Sequence, residues 1–274
     1  MTIAEKLTKI ADNEQKVYDA GYERGYHDGE IVGGGSYDQG FEDGKQAEYD
    51  AFWDAAQQNG NRTDYAFAFS ADMWTTENFK PKYPINPTTA NNAFAYWGFS
   101  SALRDERIDF RKACSLDTSN CANISNLFYN NQLITAVGVI DTQKNSPLQN
   151  LFSRCMNLEE VEKLILKNDG SQTFPTTFDR CDLLKNIVFE GVIGNDIDFK
   201  SCTLLTRVSI ESIINHLSDT TTGKTLTLSK TAADNAFPCP IEDGNGGWIN
   251  VGCGGNSEWI ELVATKSNWQ ISLV

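Results

Sequence analysis

A hydrophobic pattern recurs five times between residues 99 and 210. Each occurrence begins with a phenylalanine, followed by a small or sulphur-containing residue at offset three and by apolar residues at offsets six, nine and eleven. Eighteen of the twenty positions at offsets zero, six, nine and eleven are apolar, where the overall composition would place about eight. A pattern that recurs every 21–29 residues is typical of a repeat protein, in which each unit buries its apolar face against its neighbours. The phenylalanines are Phe99, Phe128, Phe152, Phe178 and Phe199, and the third-position residues are Ala102, Asn131, Cys155, Cys181 and Cys202.

The end of each unit predicts a short β-strand whose alternate side chains point inwards. The phenylalanine and the cysteine would fill the interior behind the strand, as in a leucine-rich repeat, and length changes would fall in the outer loops. We therefore predict an α+β fold: an N-terminal helical stalk, then an irregular leucine-rich-repeat solenoid over 99–215 with a short parallel β-ladder and capping segments. The predicted inward residues are Ile108, Phe110, Ile134, Val137, Val139, Leu158, Val161, Leu184, Ile187, Phe189, Leu205, Val208 and Ile210.

The side chains at offsets eight, ten and twelve would alternate to the open side of this ladder. They form a mixed, charged surface that either binds a partner or only keeps the sheet soluble, and the sequence leaves both readings open. The candidate binding residues are Arg107, Asp109, Arg111, Glu160, Glu162, Asn186, Glu190, Arg207 and Glu211, with Val188 and Ser209 between the last four.

Residues 1–57 are predicted to be a helical segment for oligomerisation or attachment. It begins with a capping-box pattern, carries apolar residues at heptad-like positions and then glycines every four residues, which would let another backbone approach closely. Loosely ordered turns are the alternative. The candidate oligomerisation residues are Ile3, Leu7, Ile10, Val17, Gly21, Gly25 and Gly29.

Two further segments are predicted to cover the ends of the repeat array, because a terminal unit leaves an apolar surface open to water. Residues 58–98 are rich in aromatics and are assigned as an N-terminal cap, with a carbohydrate site on those aromatics as the alternative. Residues 216–274 are assigned as a C-terminal β cap. We expect a short helix at 212–217 and strands at 225–228, 259–263 and 269–273.

Charge and cysteine usage narrow the function. A net charge of −14 disfavours nucleic-acid binding. The N-terminus lacks an apolar leader and no run of about 18 apolar residues occurs, so neither export nor membrane insertion is predicted. Of the seven cysteines, three occupy one repeat position and are expected to be core thiols. Cys239 and Cys253 could pair, although free thiols are favoured for a protein assembled in a cytoplasm.

No catalytic or metal-binding pattern is evident. His27 and His216 lack a nucleophile or ligand partner at a suitable spacing, and the glycine-rich stretches match no phosphate loop. The carboxylates at 159, 160 and 162 and those at 196 and 198 are interpreted as solvated charges, and calcium binding at 242–245 rests on too short a pattern. We expect no enzymatic activity and no cofactor.

Residues 116–128, with the sequence LDTSNCANISNLF, resemble the repeat unit of BspA-type leucine-rich repeats, and 140–152 repeat it in part. Such repeats occur in bacterial surface adhesins and in proteins of gut bacteriophages, and further segments from residue 57 onwards are similar to tail-associated proteins of the second group. The resemblance implies a non-enzymatic tail, baseplate or tail-fibre protein of a virion, assembled in the host cytoplasm. It would dock on other tail proteins through its N-terminal segment as a homotrimer and recognise a bacterial surface glycan or protein. A bacterial cell-surface adhesin and a purely architectural tail protein are the alternatives.

Overall fold

The computed structural model describes residues 85–97, 107–243 and 248–274, all within one compact unit of the chain. The predicted stalk with its oligomerisation residues, the cap up to residue 84, and Phe99, Ala102 and His27 lie outside the described residues. So does the turn at 244–247.

The described residues form a mixed α/β structure with parallel sheets and few helices. The first strands are β1 (Ile108–Asp109), β2 (Ile134–Asp141), β3 (Glu160–Ile165), β4 (Asn186–Glu190) and β5 (Ile197–Phe199), and the first helix is α1 (Phe110–Ala113). Then follow α2 (Arg207–Asn215), β6 (Lys224–Leu228), α3 (Lys230–Ala236), β7 (Pro240–Glu242), β8 (Trp248–Asn250), a 3-10 turn (Cys253–Gly255), α4 (Ser257–Ala264) and β9 (Trp269–Leu273).

The strands form three sheets. Strands β1 to β4 make a four-stranded parallel sheet in chain order, in which Val137, Val161 and Ile187 lie side by side. Strands β5, β6 and β9 make a parallel sheet of three, and β7 and β8 form an antiparallel pair. The order of the first sheet places each unit of the sequence pattern next to the following one.

Five phenylalanines stack in a column behind the first sheet. The ring centroids of successive members are 5.5, 5.7, 5.9 and 4.5 Å apart, and the rings are tilted by no more than 23°. Every ring is at most 1% exposed. The prediction is confirmed for Phe128, Phe152, Phe178 and Phe199, whereas Phe99 lies outside the described residues. Phe94, which the sequence pattern assigns to the cap, stacks on the other side of Phe128. The phenylalanine column consists of Phe94, Phe128, Phe152, Phe178 and Phe199.

We call a layer each column phenylalanine together with the segment that leads into it and the chain up to the end of the following strand. The fifth layer ends at residue 206, before α2. In three layers the backbone N–H groups of the phenylalanine and of the residues two before and two after it donate to the next layer; Phe128 N, for example, lies 3.0 Å from Leu151 O. The flanking residues adopt left-handed φ angles of 52–67°, a region in which asparagine is enriched. They are Asn92, Tyr96, Asn126, Asn130, Asn150, Arg154, Thr176 and Arg180.

The residue three positions after each of the last four column phenylalanines donates to the preceding layer. Cys155 Sγ lies 2.9 Å from Phe128 O and Cys181 Sγ 3.1 Å from Phe152 O, while Asn131 Nδ2 makes the equivalent bond to Phe94 O at 2.8 Å. Burial raises the pKa of both thiols, so each keeps the proton that it donates. The prediction of core thiols is confirmed, and all seven cysteines, Cys239 and Cys253 included, are free.

One inward residue of β2 was predicted wrongly. Val139 is 41% exposed, whereas Ile140 is buried. Strands β2 and β3 align Val137 with Val161 and Ile140 with Leu164, so two residues instead of one separate the inward side chains and the alternation is interrupted. The other predicted inward residues, apart from Val208, are buried.

The fifth unit ends in a helix and not in the predicted strand. Val208 is 66% exposed and Ser209 is buried, the reverse of the prediction. Apolar residues at 210, 213, 214 and 217 have helical spacing. The hydroxyls of Ser209 and Ser212 each accept from a β4 amide, Ile187 N and Phe189 N, at 2.9 Å. Helix α2 therefore closes the edge of the first sheet, where an unpaired strand would expose its amides.

The C-terminal region confirms two of three predicted strands. Residues 225–228 and 269–273 lie in β6 and β9, but 259–263 form part of helix α4. Asn256 caps this helix by accepting from Trp259 N at 3.0 Å. Trp259, Leu262 and Val263 have helical spacing, and only Trp259 among the helix residues is buried.

Candidate functional site

The four-stranded sheet presents one face to solvent. Its other face is turned to the column. The ring of Phe189 on β4 lies 6.4 Å from that of Phe178, and the ring of Phe110, which directly follows β1, lies 5.4 Å from that of Phe128. We call the solvent side the exposed face. It consists of Gly138, Val139, Glu160, Glu162, Lys163, Asn186, Val188 and Glu190, together with Arg111 at its edge.

A network of ion pairs crosses the first three strands. Arg111 binds Asp109 through two nitrogens, Nε at 2.9 Å and Nη2 at 3.0 Å, and its Nη1 lies 2.7 Å from Glu160 Oε2. The hydrogen bond from Arg111 holds the pKa of Asp109 below its usual value, against the opposing effect of burial. Arg111 lies on α1 and not on the predicted strand, because β1 ends at Asp109, whose carboxylate caps the helix by accepting from Arg111 N.

A cavity of about 190 Å³ opens beside this network. Gly138 of β2, Arg111 and Glu162 all belong to its lining. Among the aliphatic and aromatic lining residues, Leu116 and Val139 are at least partly exposed, whereas the others are buried. Its full lining is Phe110, Arg111, Cys114, Ser115, Leu116, Val137, Gly138, Val139, Ile140 and Glu162.

The β4 side of the exposed face makes separate contacts. Glu190 Oε2 accepts from Lys163 Nζ at 3.0 Å, and Asn186 Oδ1 accepts from Thr206 Oγ1 at 3.1 Å. Arg107 is exposed and directly precedes β1. The structure thus brings Arg111 and Glu162 to one cavity, and Asp109 and Glu160 contact it only through Arg111. Arg107, Asn186 and Glu190 lie outside its lining.

Arg207 and Glu211 were predicted to lie on the ladder, but both lie on helix α2. Arg207 Nε contacts Glu211 at 2.7 Å and Nη1 contacts Glu258 of α4 at 2.6 Å. The guanidinium carbon also lies 4.9 Å from the ring centroid of Phe237. These contacts tie α2 to the C-terminal helices, which gives Arg207 a structural role.

The sequence pattern does not identify three residues of the exposed face or of the cavity: Gly138, Lys163 and Cys114. A glycine inside a predicted strand is a recognisable signal, because it removes a side chain from a surface that packs through side chains. Lys163 lies at offset eleven of the unit that starts at Phe152, a position that is apolar in the other units. It is half-exposed because the alternation of side chains is interrupted there. Cys114 is only partly exposed, and burial raises the pKa of its thiol.

The residues considered for other chemistry serve structural contacts. His216 Nδ1 lies 2.7 Å from Ser212 O, Glu159 pairs with Lys185 at 2.7 Å, and Asp198 pairs with Lys200 at 3.1 Å. Within the described ranges, no three histidine, cysteine or acidic side chains are grouped as a metal site. No helix in the described part of the chain combines the length and apolarity needed to cross a bilayer.

Comparison with known proteins found no matching family model, no matching curated protein and no matching solved structure.

Proposed function

We propose that the described residues form an irregular leucine-rich-repeat solenoid and that the protein recognises a ligand through the exposed face. The stacked phenylalanines, the parallel strands in chain order and the repeated inter-layer hydrogen bonds support the solenoid. Resemblance to BspA-type repeats in the same residues supports it independently.

The observation that carries the recognition proposal is the cavity beside the Asp109–Arg111–Glu160 network. Side chains that only kept a sheet soluble would need no cavity, and they would gain little from a bidentate contact that fixes a guanidinium at the cavity wall. Binding sites characteristically combine a concave apolar surface with a few oriented polar groups, and this cavity has both.

The resemblance supports a role for this recognition on a virion. In this proposal the protein is a non-enzymatic tail, baseplate or tail-fibre component that docks through its N-terminal segment as a homotrimer and contacts a bacterial surface glycan or protein. Three copies on one particle would raise avidity without a tight single site.

Cell binding tests this proposal directly. Fluorescently labelled full-length protein is incubated with a panel of gut bacterial strains and bound fluorescence is measured by flow cytometry. We expect saturable binding to at least one strain and a large loss in Arg111→Ala. Lys200→Ala, which breaks an exposed ion pair with Asp198 of β5, is the matched control and should bind as the parent does.

Two results would overturn the proposal in different ways. Saturable binding that survives Arg111→Ala would move recognition to another surface. Absence of binding to every strain, together with immunoelectron microscopy that places the chain inside the virion, would indicate an architectural protein. Sedimentation of the full chain as anything other than a trimer would remove the assembly part of the proposal.

A further inference from the structure

The conformation of strand β2 does not require a glycine at position 138. It lies within β2, and its φ is outside the left-handed region that favours glycine. A Cβ added there would find Glu162 Oε2 at 3.7 Å and Arg111 Cγ at 3.8 Å, which are ordinary contacts. Glycine in a strand interior lowers stability relative to a residue with a side chain, and the backbone conformation at this position does not require it.

Two other glycines, in contrast, are required because a side chain at either position would clash with the backbone of a neighbouring layer. A Cβ at Gly191 would collide with the backbone of Leu166, and one at Gly194 would collide with the backbone of Gly170. Those glycines are needed for adjacent layers to approach. Gly138 differs from them because what its missing side chain leaves behind is the cavity.

The size of the cavity limits its occupant. About 190 Å³ is below the roughly 300–1,000 Å³ of sites for drug-sized ligands. The space therefore suits a small molecule or a single unit of a longer chain. The apolar part of the wall that is open to a ligand includes Val139 and the partly exposed Leu116, and it suits the C–H face of a ring.

The charges around the cavity favour a ligand that donates hydrogen bonds. Asp109 and Glu160 are both engaged by Arg111. Glu162 forms no ion pair with any described residue, and its carboxylate faces the place where a Cβ of Gly138 would lie. A carboxylate can accept from two neighbouring hydroxyls, and unused N–H groups of the Arg111 guanidinium can donate to a ring or glycosidic oxygen.

We propose that this cavity binds one sugar residue of a bacterial surface polysaccharide, with Glu162 accepting from its hydroxyls and Arg111 donating to it. The assignment rests on the proposed function, since it names the ligand class for the same exposed face. Gly138 then serves as the open floor of a monosaccharide site.

Filling the cavity gives the sharpest test. Gly138→Leu should occupy the space while leaving the melting temperature unchanged or higher, because the Cβ that it adds meets no atom closer than 3.7 Å and a strand favours a side chain over none. Gly254→Leu is the matched control: it places the same side chain at a glycine with nothing within 4 Å of the new Cβ and no left-handed φ, in the turn Cys253–Gly255. Glu162→Gln keeps the shape of the site and removes its charge.

The probes are glucose, galactose, rhamnose, N-acetylglucosamine and glucosamine, each at millimolar concentration with full-length protein, followed by saturation-transfer NMR and titration calorimetry. We expect at least one sugar to bind to the parent and to Gly254→Leu and to lose all binding to a folded Gly138→Leu. We expect Glu162→Gln to bind at least about tenfold more weakly, because it loses a charged acceptor.

Binding of no sugar, or equal binding to the parent and to Gly138→Leu, would overturn the assignment. The bacterial panel separates this failure from that of the proposed function: if Gly138→Leu still binds cells as the parent does, recognition stands and the sugar site falls. If a sugar binds while no cells do, the site stands and the role on the virion falls. A Gly138→Leu chain that does not fold would leave the decision to Glu162→Gln, whose unchanged sugar affinity would also overturn the assignment.

Discussion

The layers up to residue 206 and the segment after it are held together in different ways. In the layers, each phenylalanine stacks on the next, and the same backbone groups donate across three of the four junctions. After residue 206 this repetition ends, and the hydroxyls of Ser209 and Ser212 satisfy the edge of β4. The same contacts can extend an array only while each unit offers the same backbone groups. At the last layer, side-chain hydroxyls must therefore accept the hydrogen bonds that a further strand would otherwise accept.

The two regions also differ in how local their stability should be. The column runs through five layers, so the removal of one ring disturbs two neighbours. Phe237, which is equally buried, contacts Trp259 and Arg207 in the C-terminal region instead. Four experiments would break or sharpen this comparison.

The largest effect is expected for Phe152→Ala. It removes a ring stacked on both sides, 5.7 and 5.9 Å from its neighbours. The free energy of unfolding, from urea denaturation, should fall by about 3–5 kcal/mol. Phe237→Ala is the counterpart, and hydrogen exchange should then show lost protection in α3 and α4 but not in β2 to β4. Equal loss in both regions after Phe237→Ala would contradict the separation.

The next effect concerns the closure of the sheet. Ser209→Ala removes the acceptor of Ile187 N and the donor to Lys185 O. Buried amides without a partner are destabilising, so a loss of about 1–3 kcal/mol is expected. The amide of Ile187 should exchange faster in the variant. Ser257→Ala, at an exposed position of α4, should change neither quantity, and an equal loss there would remove the edge-closing role.

A smaller effect is expected at the third position of a layer. Cys155→Ala loses the S–H donor to Phe128 O and leaves a small void, which should lower the free energy of unfolding by about 1 kcal/mol. Cys239→Ala in the C-terminal region should have less effect because Cys239 is partly exposed. Since burial raises the pKa of the Cys155 thiol, it should resist alkylation by iodoacetamide in the native protein. Rapid alkylation of Cys155 would disprove its burial.

The smallest effect concerns one carboxylate in each region. Bonds from Arg111 and from Lys230 lower the pKa of Asp109 and of Asp234 from the usual 3.8. Because each folded pKa lies below the unfolded one, the stabilisation is present above that value and is lost as the pH falls through the folded pKa.

The asparagine variants of the two aspartates test this dependence. Each should be destabilised by up to about 1 kcal/mol at neutral pH, and the difference from the parent should shrink as the pH falls below 3.8 and through the folded pKa of each carboxylate. Urea denaturation at neutral pH and at a series of acidic pH values measures it. A difference that persists in acid would indicate a packing effect instead of an ionic one.

The candidate site was predictable only in part. Asp109, Arg111, Glu160 and Glu162 were found because alternation assigns side chains to faces. That Arg111 and Glu162 line one cavity depends on Gly138, and it also depends on the turn from β1 into α1, which periodicity does not reveal. Arg207 and Glu211 were misplaced because a strand and a helix can share the same short apolar pattern.

By itself, the sequence determined the layers: a phenylalanine and a donor three residues later recur, and any arrangement that buries them must stack the units. The tertiary fold was needed to show where the repetition stops after residue 206 and that Phe94 is a member of the column. Within residues 85–97 Phe94 joins the column, and α2 ends the sheet, because buried rings and edge amides need partners from other layers. Those partners are distant in the chain, so no local pattern of residues identifies them.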